Sequence, residues 1–210
     1  MTAPRFISRL RRFGRDTRGG VLVEFGVVIT LFCILFWVAL DFGRFAYTRV
    51  LAQKATDLAA RTAVVRAAAC AGLPATNVRG PIGGLIPPRF GTSCSADTDV
   101  CATADTVSCV GDANNATAQE IWTRISPMLP PDASIDNLQF TYSFDQNLGF
   151  LGGPYTPMVT VEIDLPDFQF ISPVAPLMRD ADDPTTGATV GRGLFSVSLP
   201  AEDLSSGEAG

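Results

Sequence analysis

Histidine is absent from all 210 residues. That removes Ser-His and Cys-His nucleophile pairs and takes the usual nitrogen donor from any zinc site. No CxxC pair is present either, since Cys70, Cys94, Cys101 and Cys109 follow one another at spacings of 24, 7 and 8. A glycine-rich phosphate loop and a catalytic-loop pattern are both missing. Asp41-Phe42-Gly43 therefore matches the kinase metal-binding tripeptide by letters alone. The acidic cluster Asp180, Asp182 and Asp183 lacks the spacing, the sixth-position glycine and the closing glutamate of a calcium loop, so it reads as a solvated loop. Nothing selects a pair of carboxylates for glycoside hydrolysis. Cations are scarce beyond residue 40: nine arginines and Lys54 stand against 19 acidic residues, a balance that disfavours nucleic acid. No internal repeat is found. The expectation is a protein with no cofactor, no metal, no nucleic-acid partner and no identified small-molecule substrate.

Charge is also nearly missing from Gly19 to Leu40, where the run GGVLVEFGVVITLFCILFWVAL holds one ionisable carboxylate, Glu24. As a helix these 22 residues reach about 33 Å, enough to cross a bilayer core of about 30 Å. Arg5, Arg9, Arg11, Arg12, Arg15 and Arg18 stand directly before it. By the positive-inside rule this arm stays cytoplasmic, in contact with anionic lipid, and the acidic remainder is exported. In a bacterium that means an inner-membrane anchor with a periplasmic domain. A cleaved secretory signal is not expected, because the apolar run is too long and no small-x-small site follows it.

Proline is absent from Asp41 to Ala69, and Gly43 is the lone glycine there. The stretch is rich in good helix formers. Tyr47, Val50, Leu51, Leu58 and Val65 recur at helical steps, with charged residues on much of the remainder. One helix is predicted from about Val21 to about Ala69, lipid-embedded first and amphipathic afterwards, with an alanine-softened face. Cys70, Gly72 and Pro74 end it. Residues 72–114, dense in glycine and proline, read as irregular. Their three cysteines and Cys70 form an even set in an oxidising compartment, which implies two disulfides with three possible connectivities. A short helix is predicted over Ala116–Met128, stopped by Pro130-Pro131.

Strict alternation then appears in Leu138–Asp145, Val159–Leu165 and Phe195–Leu199, each a strand with one buried face. The fold class is α+β: a long N-terminal helix, transmembrane then amphipathic, packed on a small antiparallel sheet beside a disulfide-stabilised irregular segment. The sheet has three strands, with a fourth open at Phe168–Ile171. The expected organisation is a basic leader over 1–19, a transmembrane helix over 20–40, an amphipathic extension over 41–70, a periplasmic domain over 71–200 and a flexible tail over 201–210.

Glu24 lies roughly 7 Å into the apolar run. A charge at mid-membrane costs about 2.5–3.5 kcal/mol, less near the interface. The carboxylate can snorkel or protonate. It can also meet a cation from a neighbouring protein. If the arm is cut after Gly19, the new chain starts at Gly20 and Glu24 is its fifth residue. A free α-amine on one subunit then pairs with the carboxylate of another, each offsetting the other's desolvation, and the pair sets axial register.

A basic leader ending in glycine, four small or apolar residues, a glutamate and a long apolar helix, here RDTRG-GVLVEFGVV, resembles the class III signal of type IV pilins and pseudopilins. With Asp41-Phe42-Gly43-Arg44 just past the span and an alanine-rich helical run after it, the chain resembles the TadE-like proteins of the tight-adherence (Flp) pilus system over about residues 10–65. The resemblance implies cleavage by a prepilin peptidase at Gly19-Gly20, with Glu24 the recognition and pairing carboxylate. Cutting after Gly20 would place Glu24 fourth. Phe25 stands where major Flp pilins have tyrosine, which fits a pseudopilin better than the main shaft subunit. The implied partners are the lipid bilayer, other pilin-like subunits, the pilus assembly platform and the peptidase. An alternative of another class is an unprocessed single-pass periplasmic binding or sensor module. A membrane-anchored hydrolase is a third.

Overall fold

The computed structural model describes residues 19–81, 87–171, 189–202 and 204. The leader residues 1–18, the acidic cluster at 180–183 and most of the tail lie outside the described residues. The described chain falls into two units, one of residues 19–44 with 169–171 and 189, the other of 45–168 with 190–202 and 204.

Helix α1 runs from Gly20 to Ala63. Within the second unit it buries Ala52, Ala55, Thr56, Ala59, Ala60 and Ala63 at 0% exposure, and Thr62 at 5%. Steps of three and four put them on one stripe. Thr56 stays compatible with burial because its hydroxyl donates to the Ala52 carbonyl at 2.9 Å. The face differs from the one the larger apolar residues suggest: Tyr47 and Val50 are exposed, and Leu58 and Val65 are more than a third exposed. The sheet supplies the bulk, so the helix contributes its small side chains.

The sheet has order β1-β2-β3-β6, antiparallel throughout. Its strands are β1 (Val107–Val110), β2 (Leu138–Ser143), β3 (Met158–Asp164) and β6 (Leu194–Pro200). Register lays the inward residues in rows: Phe140 opposite Val161 and then Val197, and Leu138 opposite Ile163 and then Phe195. Leu138, Phe140, Tyr142, Val159, Val161 and Ile163 are fully buried, each contributing about 1.5–3 kcal/mol. The outer face is polar, with Thr160 and Ser198 hydroxyls 2.7 Å apart and Ser108 and Thr141 hydroxyls 3.0 Å apart. The fourth strand is β1, inside the stretch read as irregular. Phe168–Gln169 (β4) instead pairs with Thr189–Val190 (β5) in a separate two-stranded ribbon. Helix α2 (Ala116–Ile125) starts at Asn115, whose side chain accepts from the Ala118 amide, and buries Ile121 and Ile125 in the same core. A 3-10 turn over Ser126–Met128 carries on from α2, as far as the predicted end.

Helix α1 stops six residues before the predicted Ala69, because the next backbone groups find tertiary partners. The Val64 carbonyl accepts from the Glu202 amide at 3.2 Å. The Ala67 carbonyl accepts from Thr117 Oγ1 at 2.8 Å, and the Ala69 carbonyl from Asn115 Nδ2 at 3.1 Å. The Ala69 amide donates to the Tyr142 hydroxyl at 2.9 Å. Cys70 is disulfide-bonded to Cys109 on β1, and Cys94 to Cys101. The second bond sits in its own small cluster with Val100 and Leu151.

Candidate functional site

The sequence-predicted assembly residues sit together at the start of α1. Gly19 is in a 3-10 turn, and Gly20 opens the α-helix. Both are exposed, with open space where a Cβ would stand. Glu24 follows one helical turn later, about 6 Å along the axis from Gly20. It is exposed and has no hydrogen bond or ion pair among the described residues. Phe25 beside it is 65% exposed.

The rest of the run is apolar on every side, and none of its most apolar 18-residue window is buried by the protein. The Thr30 hydroxyl is satisfied locally by donating to the Gly26 carbonyl at 2.7 Å, the usual device for a threonine in an apolar helix. Cys33 is a free thiol on the exposed surface. Among the described residues, Glu24 is the ionisable side chain of this run, and it has no hydrogen bond or ion pair there. The disulfide cysteines, by contrast, belong to the second unit and take no part in this arrangement.

A second carboxylate is one that sequence reasoning quoted without giving it a role. Asp41 follows Leu40, where the apolar run ends, and is 3% exposed. Its Oδ2 accepts from the Ile171 amide at 3.1 Å, and its Oδ1 from Arg44 Nη1 at 3.5 Å. The Phe42 ring lies 6.2 Å from that of Phe170. The signal was present: an acid directly at the end of a long apolar helix needs a partner nearby. Which partner depends on a contact 130 residues away.

In the second unit, the junction of α1 with α2 carries the clearest electrostatics. Glu120 accepts from Arg66 Nε at 3.1 Å and from Arg124 Nη2 at 2.6 Å. The hydrogen bond from Arg66, helped by the charges of Arg66 and Arg124, holds the Glu120 carboxyl below its ordinary range, while burial opposes this. Burial pushes the Tyr142 phenol up, and the Ala69 amide bond partly offsets it. An open groove between α1 and β6 is lined by Val50, Gln53, Lys54, Thr56, Asp57 and residues 194–197. Its chemistry is one cation and one carboxylate on adjacent turns. Among the described residues, no group of three or more His, Cys, Asp or Glu could hold a metal ion.

Residues 19–61 match the family model for TadE-like protein. The match spans about a fifth of the chain and contains Gly19, Gly20, Glu24, Phe25 and Asp41, and it excludes the disulfides and the sheet. Its fit to the helix agrees with the resemblance read from RDTRG-GVLVEFGVV. No curated protein and no solved structure matches the chain.

Proposed function

We propose that this protein is a membrane-anchored pseudopilin of the TadE-like kind that supports assembly of a tight-adherence pilus. A peptidase removes the arginine arm after Gly19, the helix over 20–40 holds the chain in the inner membrane, and the disulfide-bonded domain lies in the periplasm. Glu24 meets the free N-terminal amine of a pilin-like partner within a bundle of apolar helices. The role is structural rather than catalytic.

The observation that carries this reading is Glu24 itself: an exposed carboxylate without a described partner, one turn from a helix start, in a run otherwise free of charge. Two further features support it. Gly19 and Gly20 are exposed. The family match begins at Gly19.

The test is a Glu24→Ala variant expressed with its native partners. Membrane insertion should persist, because removing a charge from the run makes it more apolar. Co-purification with pilin-like subunits should fall about a hundredfold or more, since leaving one member of a buried pair unmatched costs about 3–5 kcal/mol. Undiminished co-purification would show that the carboxylate has no pairing role.

A further inference from the structure

Asp41 is almost fully buried, and its carboxylate draws the backbone of a distant segment to the point where α1 leaves its apolar run. Within the first unit, Phe170 and Ile171 are thereby held beside Asp41 and Phe42. The geometry points to a second membrane contact: the pair Phe170 and Ile171 rests in the outer headgroup layer of the bilayer, next to the span. This inference rests on the reading of Val21–Leu40 as a membrane helix.

Depth is the first support. At 1.5 Å per residue, Asp41 and Phe42 lie within about 3 Å of Leu40 along the helix. The headgroup region adds some 5–7 Å on each side of the hydrocarbon core. A backbone amide 3.1 Å from the Asp41 carboxylate therefore shares that layer.

Composition is the second support. Ile171 is 65% exposed although its amide is tied down, and Phe42 is 53% exposed although its ring meets Phe170. Exposed isoleucine and phenylalanine beside a soluble helix would be a liability. Beside a span they continue its apolar surface, and aromatic rings suit the boundary between hydrocarbon and headgroups. Trp37 and Leu40, near the same end of the apolar run, are both more than 40% exposed as well. The carboxylate that makes the tether is shielded at this depth because Ile171 and Arg44 both donate to it.

The contact can be read by fluorescence in the full chain. Cys33→Ser leaves the four disulfide-bonded cysteines unreactive, so a single cysteine at Ile171→Cys takes an environment-sensitive label. The side chain at 171 makes no described hydrogen bond, so its replacement preserves the tether. In proteoliposomes of phosphatidylcholine and phosphatidylglycerol, the label should be blue-shifted, quenched by headgroup-level spin-labelled lipid and protected from aqueous iodide. A label at Leu35→Cys reports the span. Quenching at 35 without quenching at 171 overturns the second contact and leaves the span intact. Absence of lipid quenching at both positions overturns the membrane reading and this inference with it. A blue-shifted 171 label that lipid does not quench would mean that protein, such as a second copy of the chain, covers the face, and would also overturn it. Asp41→Leu should abolish lipid quenching at 171 while leaving that at 35 unchanged; persistence at 171 would remove Asp41 as the tether.

Discussion

Removing the Cys70–Cys109 bond should weaken the fold more than removing Cys94–Cys101, although packing alone predicts the opposite. Loop closure sets the expected order. The outer bond joins residues 39 apart and the inner bond residues 7 apart. The chain-entropy relation gives about 4 kcal/mol for the first and about 2.5 kcal/mol for the second. Nesting of the inner loop inside the outer one shortens the effective outer loop by only a few residues, and the logarithm barely changes. Burial argues the other way. Cys94 and Cys101 are both buried, whereas Cys109 is half-buried, so replacing the inner pair with alanine leaves more unfilled space. The assay is urea unfolding of the full chain in nanodiscs, followed by near-UV circular dichroism, for Cys70→Ala/Cys109→Ala against Cys94→Ala/Cys101→Ala. With a slope of about 1.5 kcal/mol/M, the midpoints should differ by about 1 M, the outer pair lower. Equal midpoints, or a lower one for the inner pair, would show that local packing rather than restraint of the unfolded chain governs these bonds.

Tyr142→Phe should destabilise the domain by about 1–2 kcal/mol in the same titration, because it strands the Ala69 amide in the junction that follows α1. Glu120 links that junction to pH. Its folded carboxyl lies below the unfolded value of about 4.3. The stabilisation is therefore present above that value and is lost as pH falls through the lower, folded one. The pair is solvent-exposed, so the effect is small. Midpoints of wild type and Glu120→Gln should differ at pH 7 and converge in acid, and a constant difference would contradict the linkage.

Local patterns carried the strands. Alternation in Leu138–Ser143 and Val159–Asp164 follows from a sheet with one wet face, and the structure has both strands with the expected inward residues. Strand β1 was hidden because Val107-Ser108-Cys109-Val110 is too short to alternate convincingly among glycines and cysteines. Its place depends on pairing with β2 and on the bond to Cys70. The buried face of α1 was misjudged for a different reason. Hydrophobicity ranks leucine and valine above alanine, but the core that α1 joins is filled by the sheet's large side chains, so its small residues are the buried ones. The end of α1 was not legible, since it is settled by contacts with residues 115 to 202, and the disulfide connectivity was one of three that the spacing leaves open. At the candidate site, Glu24 stood out by being alone. Asp41, where the apolar run ends midway along α1, signalled that it needs a partner, but that partner is an amide 130 residues away.

The central claim is that the arginine arm is removed to expose an amine at Gly20, making Glu24 the fifth residue of the mature chain. Intact-mass analysis of the protein from its native membranes tests this most directly. The account predicts a mature species beginning at Gly20. A chain from those membranes that still carries the arginines ahead of Gly19 would contradict it, leaving an unprocessed, tethered periplasmic domain.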